Sequence, residues 1–556
     1  MTVPADQDAV PPAKSGVAAL DDLFASRNRG DAPGLVIGVA LHGKPVYRRG
    51  FGLASVELGV ANTPWTRMRI GSTSKHFTCL AIMLLAEDGL LDIDAGVGRY
   101  VPELSAGQGR PTLRQLMSHT GGSRCYLDIS FLGDNLAIKP AGQALAALTR
   151  QRDVNFAPGD KFIYNNGGYH LLSLVIDRVS GMPFERFLQE RIFSPLGMHD
   201  TVSVPNDFEI VRGMATLHIG LPEGGYKRGI FPTMEVRGEG AMISSVDDML
   251  RWMAHLRGPK RVGSEDSWAQ ILAPTRLNNG AVVPYGLGLM RYPYRGVEVI
   301  QHAGGVIGGT CQMLTVPSHG LDIIIMANIN GELFNSAVFA NQVVDAMLGD
   351  ALVTPAEARV PASAYPAMLG RRYASPASGF VIGFGDAGGD LGLAILNLPP
   401  MPLNSSGDRL HTNFTDIAAG PYALSREGWA ADGPPPATLE FSEAGFTETL
   451  HLLPETGPAL AAAGARLVGG YRAPDLDADA AIYFDGDQPR LRVAGCFGGT
   501  LATLEAFSDD VFGWHMEAPE LPLRGVLTVE RKDGRITGFR IDTMRTRHML
   551  FERLDA

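Results

Sequence analysis

The chain reads as a multidomain α+β protein, a mixed helix-and-sheet domain followed by two smaller all-β domains. Three observations predict this. Its 556 residues are more than one hydrophobic core supports. Up to about Leu348, long apolar helix patterns alternate with strand patterns. Beyond it only short alternating segments remain, separated by Gly, Pro and Asp. Within that second part a weak repeat is visible: LGRRYASPASGFVI near Leu369 resembles VGGYRAPDLDADAAI near Val468.

The first domain is assigned to residues 1–350. Gly34 to Tyr47 (GLVIGVALHGKPVY) reads as two strands around the turn His42-Gly43-Lys44. Phe77 to Gly89 is a long apolar helix pattern closed by a glycine stop, and Tyr169 to Gly181 is a second. Val246 to Leu256 is amphipathic. Strand patterns return in YGLGLMRY, GVEVIQHAG, GTCQMLTV and LDIIIMAN. Strands at both ends with helices between imply a sheet assembled from both ends, in an α+β or mixed α/β core. The Pro/Ala-rich DALVTPAEARVPASAYP reads as a linker. The second domain, residues 351–464, holds GFVIGF and LGLAILNL; the third, residues 465–556, holds AIYFDG, PRLRVAG, GVLTVER and RITGFRI. Segments of this length suit barrels or sandwiches. The tract PETGPALAAAGAR lies between the two.

Composition narrows the function. With 45% hydrophobic and 19% charged residues the chain has the make-up of a globular enzyme. A net charge of -11 argues against nucleic acid as a general partner, because phosphate binding needs a basic face. Cys79, Cys125, Cys311 and Cys496 are too dispersed for a metal site and read as reduced thiols of a cytosolic chain. The start, MTVPADQDAVPPAKSG, has acids and prolines where a signal peptide needs basic residues and an apolar run. No stretch reaches the ~18 apolar residues of a membrane span. A cytoplasmic protein with no membrane partner is expected. His119, His170, His218 and His255 show no ligand spacing, so no metal is expected. Gly383 to Gly388 matches GxGxxG but sits between two strands with no helix after it, which marks a hairpin turn. No cofactor is expected.

The strongest local signal is Gly71-Ser72-Thr73-Ser74-Lys75. S-x-x-K at a helix start puts Ser72 and Lys75 on one face. A serine hydroxyl is a poor nucleophile and needs a base in reach; a buried lysine can lose its proton and serve. Tyr164-Asn165-Asn166, after Phe156-Ala157-Pro158-Gly159, can turn a phenol and a carboxamide into one cleft, to relay a proton and to hold Lys75. His302-Ala303-Gly304-Gly305 lies at a strand end. Its small residues leave room for a substrate backbone. The Gly305 N–H pairs with that of Ser72 as an expected oxyanion hole, and His302 holds the proton network or binds substrate.

In this order, S-x-x-K, Y-x-N and H-x-G make the chain resemble the penicillin-recognising serine hydrolases, which include class C β-lactamases, D-alanyl-D-alanine carboxypeptidases and related esterases. LMSHTGG, PLGM, GEGAMISSVDDMLRW and YGLGL add to the likeness over residues 20–345. In that family Ser72, Lys75, Tyr164 and Asn166 would be catalytic, with His302-Ala303-Gly304 replacing a Lys-Thr-Gly triplet. MRIGSTSKHFTC, HAGG and GYRAPDLDADA resemble the D-stereospecific aminopeptidases of this superfamily more closely. That resemblance implies a β-lactamase/transpeptidase-like domain followed by two antiparallel β-barrels. It further implies an acyl-enzyme on Ser72, a small peptide or amide as substrate, and a homodimer.

Such an enzyme must recognise a free α-ammonium, which calls for an acid near the cleft. Glu517, in the loop His515-Met516-Glu517-Ala518-Pro519, is the expected source. An esterase, β-lactamase or D,D-carboxypeptidase on the same scaffold is the alternative. The barrels and His302 argue against the last two. The complete motif set argues against a non-catalytic binding protein. Whether Lys75 or Tyr164 is the general base stays open at this level.

Overall fold

The computed structural model describes residues 16–554 apart from 331–334, 354–357, 413–421, 432, 456, 458, 519 and 522. The N-terminal stretch read above for a signal peptide, the middle of the linker and Pro519 thus fall outside the described residues.

Six antiparallel strands form the first sheet, in the order Met290–Tyr294, Val297–Val306, Gly309–Val316, Leu321–Ala327, Leu35–Leu41 and Lys44–Phe51. The pairing of Leu35–Leu41 with Leu321–Ala327 joins the two ends of the domain, as the alternation of patterns implied. The turn is tighter than expected: Lys44 is already in the strand opposite Leu41, and His42 and Gly43 alone make the turn, with φ of 49 and 76. Two successive positive-φ residues match the twist of the flanking strands.

Residue alternation decides what covers each face. Leu35, Ile37 and Val39 pack with Leu20, Phe24, Ala340 and Val343 of two helices, Val17–Phe24 and Ser336–Leu348. Val36, Ala40, Ile324 and Met326 face the other way, into the larger core that holds Val246 and Met249 of helix Val246–Arg257. Gly38 permits that contact, since a Cβ there would lie 2.3 Å from Val246 Cγ1. Deeper in the same core, helix Lys75–Glu87 is buried from Lys75 to Leu85. Helix Asn166–Ser180 packs beside it. The Asn165 side chain caps that helix by accepting the Gly168 N–H at 3.1 Å, and Gly181 closes it at φ 67. Both helices start earlier than their apolar patterns, because Lys75 and Asn166 are polar residues placed inside for other reasons.

Downstream, a nine-stranded antiparallel sheet runs from Arg372 to Leu452. Its two edge strands, Met401–Pro402 and Asn404–Ser406, are separated only by Leu403, so the sheet curls until its edges meet. Eight antiparallel strands from Gly469 to Arg553 then form a closed barrel, Gly469–Ala473 pairing with Met549–Arg553. Closure removes the free sheet edges. The GxGxxG string is a hairpin between strands Val381–Asp386 and Leu391–Ile395. One short helix, Leu460–Ala465, interrupts the strands where the tract between the barrels turns Ala-rich, the composition with the highest helix propensity. Among the described residues no helix is long and apolar enough to cross a membrane.

Both β regions touch the first domain. Ala444, at a hairpin tip of the nine-stranded sheet, packs with Phe162, Tyr164 and Tyr285. From the closed barrel, the connection Thr543–His548 reaches the start of helix Tyr126–Asp134. There the Cys125 N–H donates to Arg545 O at 3.3 Å, and the Arg545 guanidinium pairs with Asp128 at 2.6 Å. Arg547 and Glu443 link the two β regions at 3.2 Å.

Candidate active site

Ser72 stands on a single 3-10 turn, Gly71–Ser74, that runs into helix Lys75–Glu87. Its side chain is partly exposed, whereas Lys75 is fully buried. Two glycines make the turn possible. A Cβ on Gly71 (φ 53) would lie 2.9 Å from Gly305 N, and one on Gly304 would lie 1.9 Å from Ile70 O. Without them strand Val297–Val306 could not lie against the turn. Thr73 Oγ1 donates to His302 O at 3.2 Å and fastens the two together.

Lys75 Nζ has three neighbours in hydrogen-bond range: Ser72 Oγ at 3.0 Å, Asn166 Oδ1 at 2.8 Å and Glu239 O at 2.7 Å. Burial pushes this lysine down to about 7, against the opposing pull of Glu239. In the amine form only two N–H bonds remain. Asn166 Oδ1 and Glu239 O can only accept, so they take both, and the lone pair faces Ser72 Oγ–H. That is the arrangement a serine needs for activation. The Tyr164 ring centre lies 4.7 Å from Nζ. Of the residues singled out in the sequence, the structure thus brings Ser72, Lys75, Tyr164, Asn166 and the backbone of Gly305 into one cluster.

His302 belongs to a buried chain behind that cluster. His302 Nε2 lies 3.1 Å from Tyr285 Oη, and Tyr285 Oη lies 3.1 Å from His119 Nε2. The outer contacts decide every proton. His119 Nδ1 accepts the Asn165 N–H at 3.0 Å, so its Nε2 carries the hydrogen and donates to Tyr285. His302 Nδ1 lies 2.6 Å from Ala303 O, which only accepts, so Nδ1 carries the hydrogen and Nε2 accepts from Tyr285. Burial, and then the charge of Lys75, hold both imidazoles well below the usual histidine range, hence neutral. His302 therefore sits in a proton-ordered network.

Other members of the site were not legible as such. Glu239 is 2% exposed, and its Oε1 accepts from Tyr126 Oη at 2.5 Å and lies 3.5 Å from His170 Nδ1. Burial pushes its carboxyl up, but the contacts with His170 and Tyr126 outweigh this and hold it below its ordinary value. Arg545, sent in by the closed barrel, acts on both Lys75 and Tyr164 electrostatically. Only the family-like stretches around His119, Glu239 and Tyr285 hinted at three of these; nothing in the sequence pointed to Arg545.

Glu517 is placed differently from the sequence-based expectation. It follows strand Val511–Met516 on the barrel, where its carboxylate pairs with Arg490 and accepts from Thr503 Oγ1 at 2.5 Å. No contact among the described residues links it to the Ser72 cluster. Its neighbour Glu520 makes an ion pair at 2.5 Å with Lys227 of the catalytic domain.

The beta-lactamase family profile matches residues 20–345 of this chain. A D-aminopeptidase of Brucella melitensis biotype 2 is 28% identical, covering 94% of this chain and 96% of that protein. A D-aminopeptidase of Gluconobacter oxydans is 26% identical over the same shares. Among solved structures, the octameric penicillin-binding protein homologue from Pyrococcus abyssi superposes with a TM-score of 0.52 at 20% identity, covering 96% of this chain and 98% of that one. That last likeness concerns the fold.

Proposed function

We propose, from the premise that the chain belongs to the beta-lactamase family, that it is a serine aminopeptidase releasing N-terminal D-residues from small peptides, amides and esters. The observation that carries the chemistry is the Lys75 contact set, which leaves the amine lone pair for Ser72 alone. The D-residue preference rests on likeness to D-aminopeptidases along nearly the whole chain, barrels included.

In this reading Ser72 Oγ attacks the carbonyl of the N-terminal residue as its proton passes to Lys75 Nζ. The N–H groups of Ser72 and Gly305 receive the oxyanion. The proton moves through Tyr164 to the leaving nitrogen, the amine departs, and water cleaves the ester in the reverse sense. Asn166 holds Lys75 in place, and His302 stiffens the strand that carries Gly305. Glu517 enters as the acid expected to attract the substrate ammonium, acting from the barrel wall. The chain is divided at residues 350 and 464. A homodimer is the expected state, on the resemblance to the D-stereospecific aminopeptidases; sedimentation as a monomer at micromolar concentration would remove it.

The test compares release of p-nitroaniline from D-Ala and L-Ala p-nitroanilides, with nitrocefin in parallel. Fast turnover of the D-anilide is expected, falling on the order of 10⁴–10⁶-fold in Ser72→Ala. Ser72-dependent cleavage of nitrocefin or of an ester, with neither anilide turned over, would move the protein to the lactamase or esterase branch.

A further inference from the structure

The mechanism above gives Glu239 no role beyond its main-chain carbonyl, yet its side chain is an almost fully buried carboxylate beside the general base. Buried carboxylates are costly to retain unless something answers their charge. Here Tyr126 Oη donates to Oε1 at 2.5 Å and His170 Nδ1 lies 3.5 Å from it without a hydrogen bond, while Oε2 is buried with no hydrogen-bond partner. The residue's own carbonyl holds Lys75 Nζ at 2.7 Å. The backbone around it is built to keep it there. A Cβ on Gly238 would lie 2.5 Å from Thr78 Oγ1, Thr78 Oγ1 donates to Gly238 O at 3.0 Å, and the Gly238 N–H donates to Ser173 Oγ at 2.8 Å. Glu239 is thereby pinned between helix Lys75–Glu87 and helix Asn166–Ser180.

We propose that Glu239 is a positioning residue for the reaction: hydrogen-bonded by Tyr126 and flanked by His170, its carboxylate is the buried counter-charge that balances Lys75 whenever the lysine holds the proton taken from Ser72. The proton leaves Ser72 Oγ, resides on Lys75 Nζ as an ammonium, and goes on to the leaving nitrogen; Glu239 takes up no proton at any stage. The remaining charged and titratable groups around Lys75 do not supply this balance. Burial pushes the Cys79 thiol up to about 12, and the buried free Cys125 acts on Lys75 less than Glu239 does. Tyr164 and Tyr169 present ring faces, at 4.7 and 5.2 Å. His119 and His302 are neutral, and Arg545 is a cation whose partner is Asp128. Around Glu239 itself the further charges are Lys75 and, through its action on Tyr126 and His170, Glu235.

The inference rests on the assignment of Ser72 and Lys75 in the proposed function but not on the choice of substrate. The experiment therefore measures the rate at which a fluorophosphonate labels Ser72, as a function of pH. In Glu239→Gln the acid limb of that rate is expected to move down by about one pH unit, because an anion that favoured the ammonium is gone. The plateau is expected to fall about tenfold. Glu239→Asp should restore the limb to the wild-type position. A limb that stays put in a folded Glu239→Gln variant overturns the proposal, leaving the side chain a packing role only. Should that variant not fold, Tyr126→Phe replaces it. Removing the hydroxyl that helps keep the carboxyl ionised weakens the counter-charge and should move the limb downward, and an unmoved limb again overturns the proposal. Failure of the D-Ala anilide assay, by contrast, would refute the substrate assignment while leaving this profile measurable.

Discussion

Two buried polar clusters flank the nucleophile turn, and they answer burial in opposite ways. Around Lys75 the structure keeps charge: Glu239 lies on one side, and the Arg545–Asp128 pair on another. Around His302 it removes charge: two neutral imidazoles and the Tyr285 phenol form a hydrogen-bond chain with every proton accounted for. Both clusters are out of water, so burial alone cannot explain the difference. What differs is the partner. A carboxylate keeps a neighbouring ammonium affordable in a low-dielectric site, whereas main-chain N–H and C=O groups satisfy a neutral ring and give a charged one nothing to pair with. The first cluster can change protonation during a reaction. The second is a brace.

The sharpest way to break this contrast is to remove charge from the first cluster at the residue furthest from it in sequence. Arg545→Met leaves Asp128 buried without its ion pair, with Thr543 Oγ1 at 2.5 Å as the remaining donor. A loss of about 3–5 kcal/mol is expected in a urea titration, as for other buried pairs that lose one member. Arg545 also presses the pKa of Lys75 downward, so its removal should move the acid limb of activity up, the reverse of the change at Glu239. Unchanged stability and an unchanged limb together would mean that the barrel connection is only a neighbour of the site.

A smaller effect is expected in the second cluster. Tyr285→Phe deletes the hydroxyl between two ring nitrogens and leaves both unpaired, at a cost of about 2 kcal/mol. Here pH should act on stability. His119 and His302 have native pKa values well below 6.5, so between those values and 6.5 the unfolded chain binds more protons than the fold. Stability therefore falls as pH drops below about 6.5, and His119→Gln should flatten that slope. Lys75 acts in a higher window: its native value of about 7 lies below the ordinary 10.5, so its contribution to stability rises with pH between the two. Equal slopes in wild type and His119→Gln would show that the chain is not neutral.

The contrast also explains what could be read in advance. Ser72, Lys75, Tyr164 and His302 announce themselves because their chemistry depends on short spacings within one segment. Glu239 lies 164 positions from Lys75, and its meaning comes from a contact no local pattern encodes. His119 and Tyr285 are 166 positions apart and look like ordinary core residues until the chain through Tyr285 Oη joins them. The sheet built from both ends of the first domain was legible because Leu321–Ala327 and Leu35–Leu41 are each apolar enough to demand a covered position. The resemblance implied a barrel for the nine-stranded sheet as well; what no local pattern gave was its seam, where Leu403 alone separates the two edge strands.

Glu517 marks the limit of such reading and carries the smallest predicted effect. An acid on a barrel loop, set beside the aminopeptidase reading proposed above, suggests direct recognition of a substrate ammonium. In the structure the carboxylate is matched by Arg490 and Thr503 on the barrel's own wall, and Glu520, three positions on, pairs with Lys227. Any influence on the substrate then comes from a partly exposed, already paired charge that solvent screens. Glu517→Gln should raise KM for a D-amino-acid amide by no more than about threefold and leave kcat in place, a modest electrostatic effect. An increase on the order of a hundredfold would mean a direct contact with the ammonium, since only a desolvated charge pair is worth that much. No change at all would remove Glu517 from recognition and leave the acid to be found inside the catalytic domain.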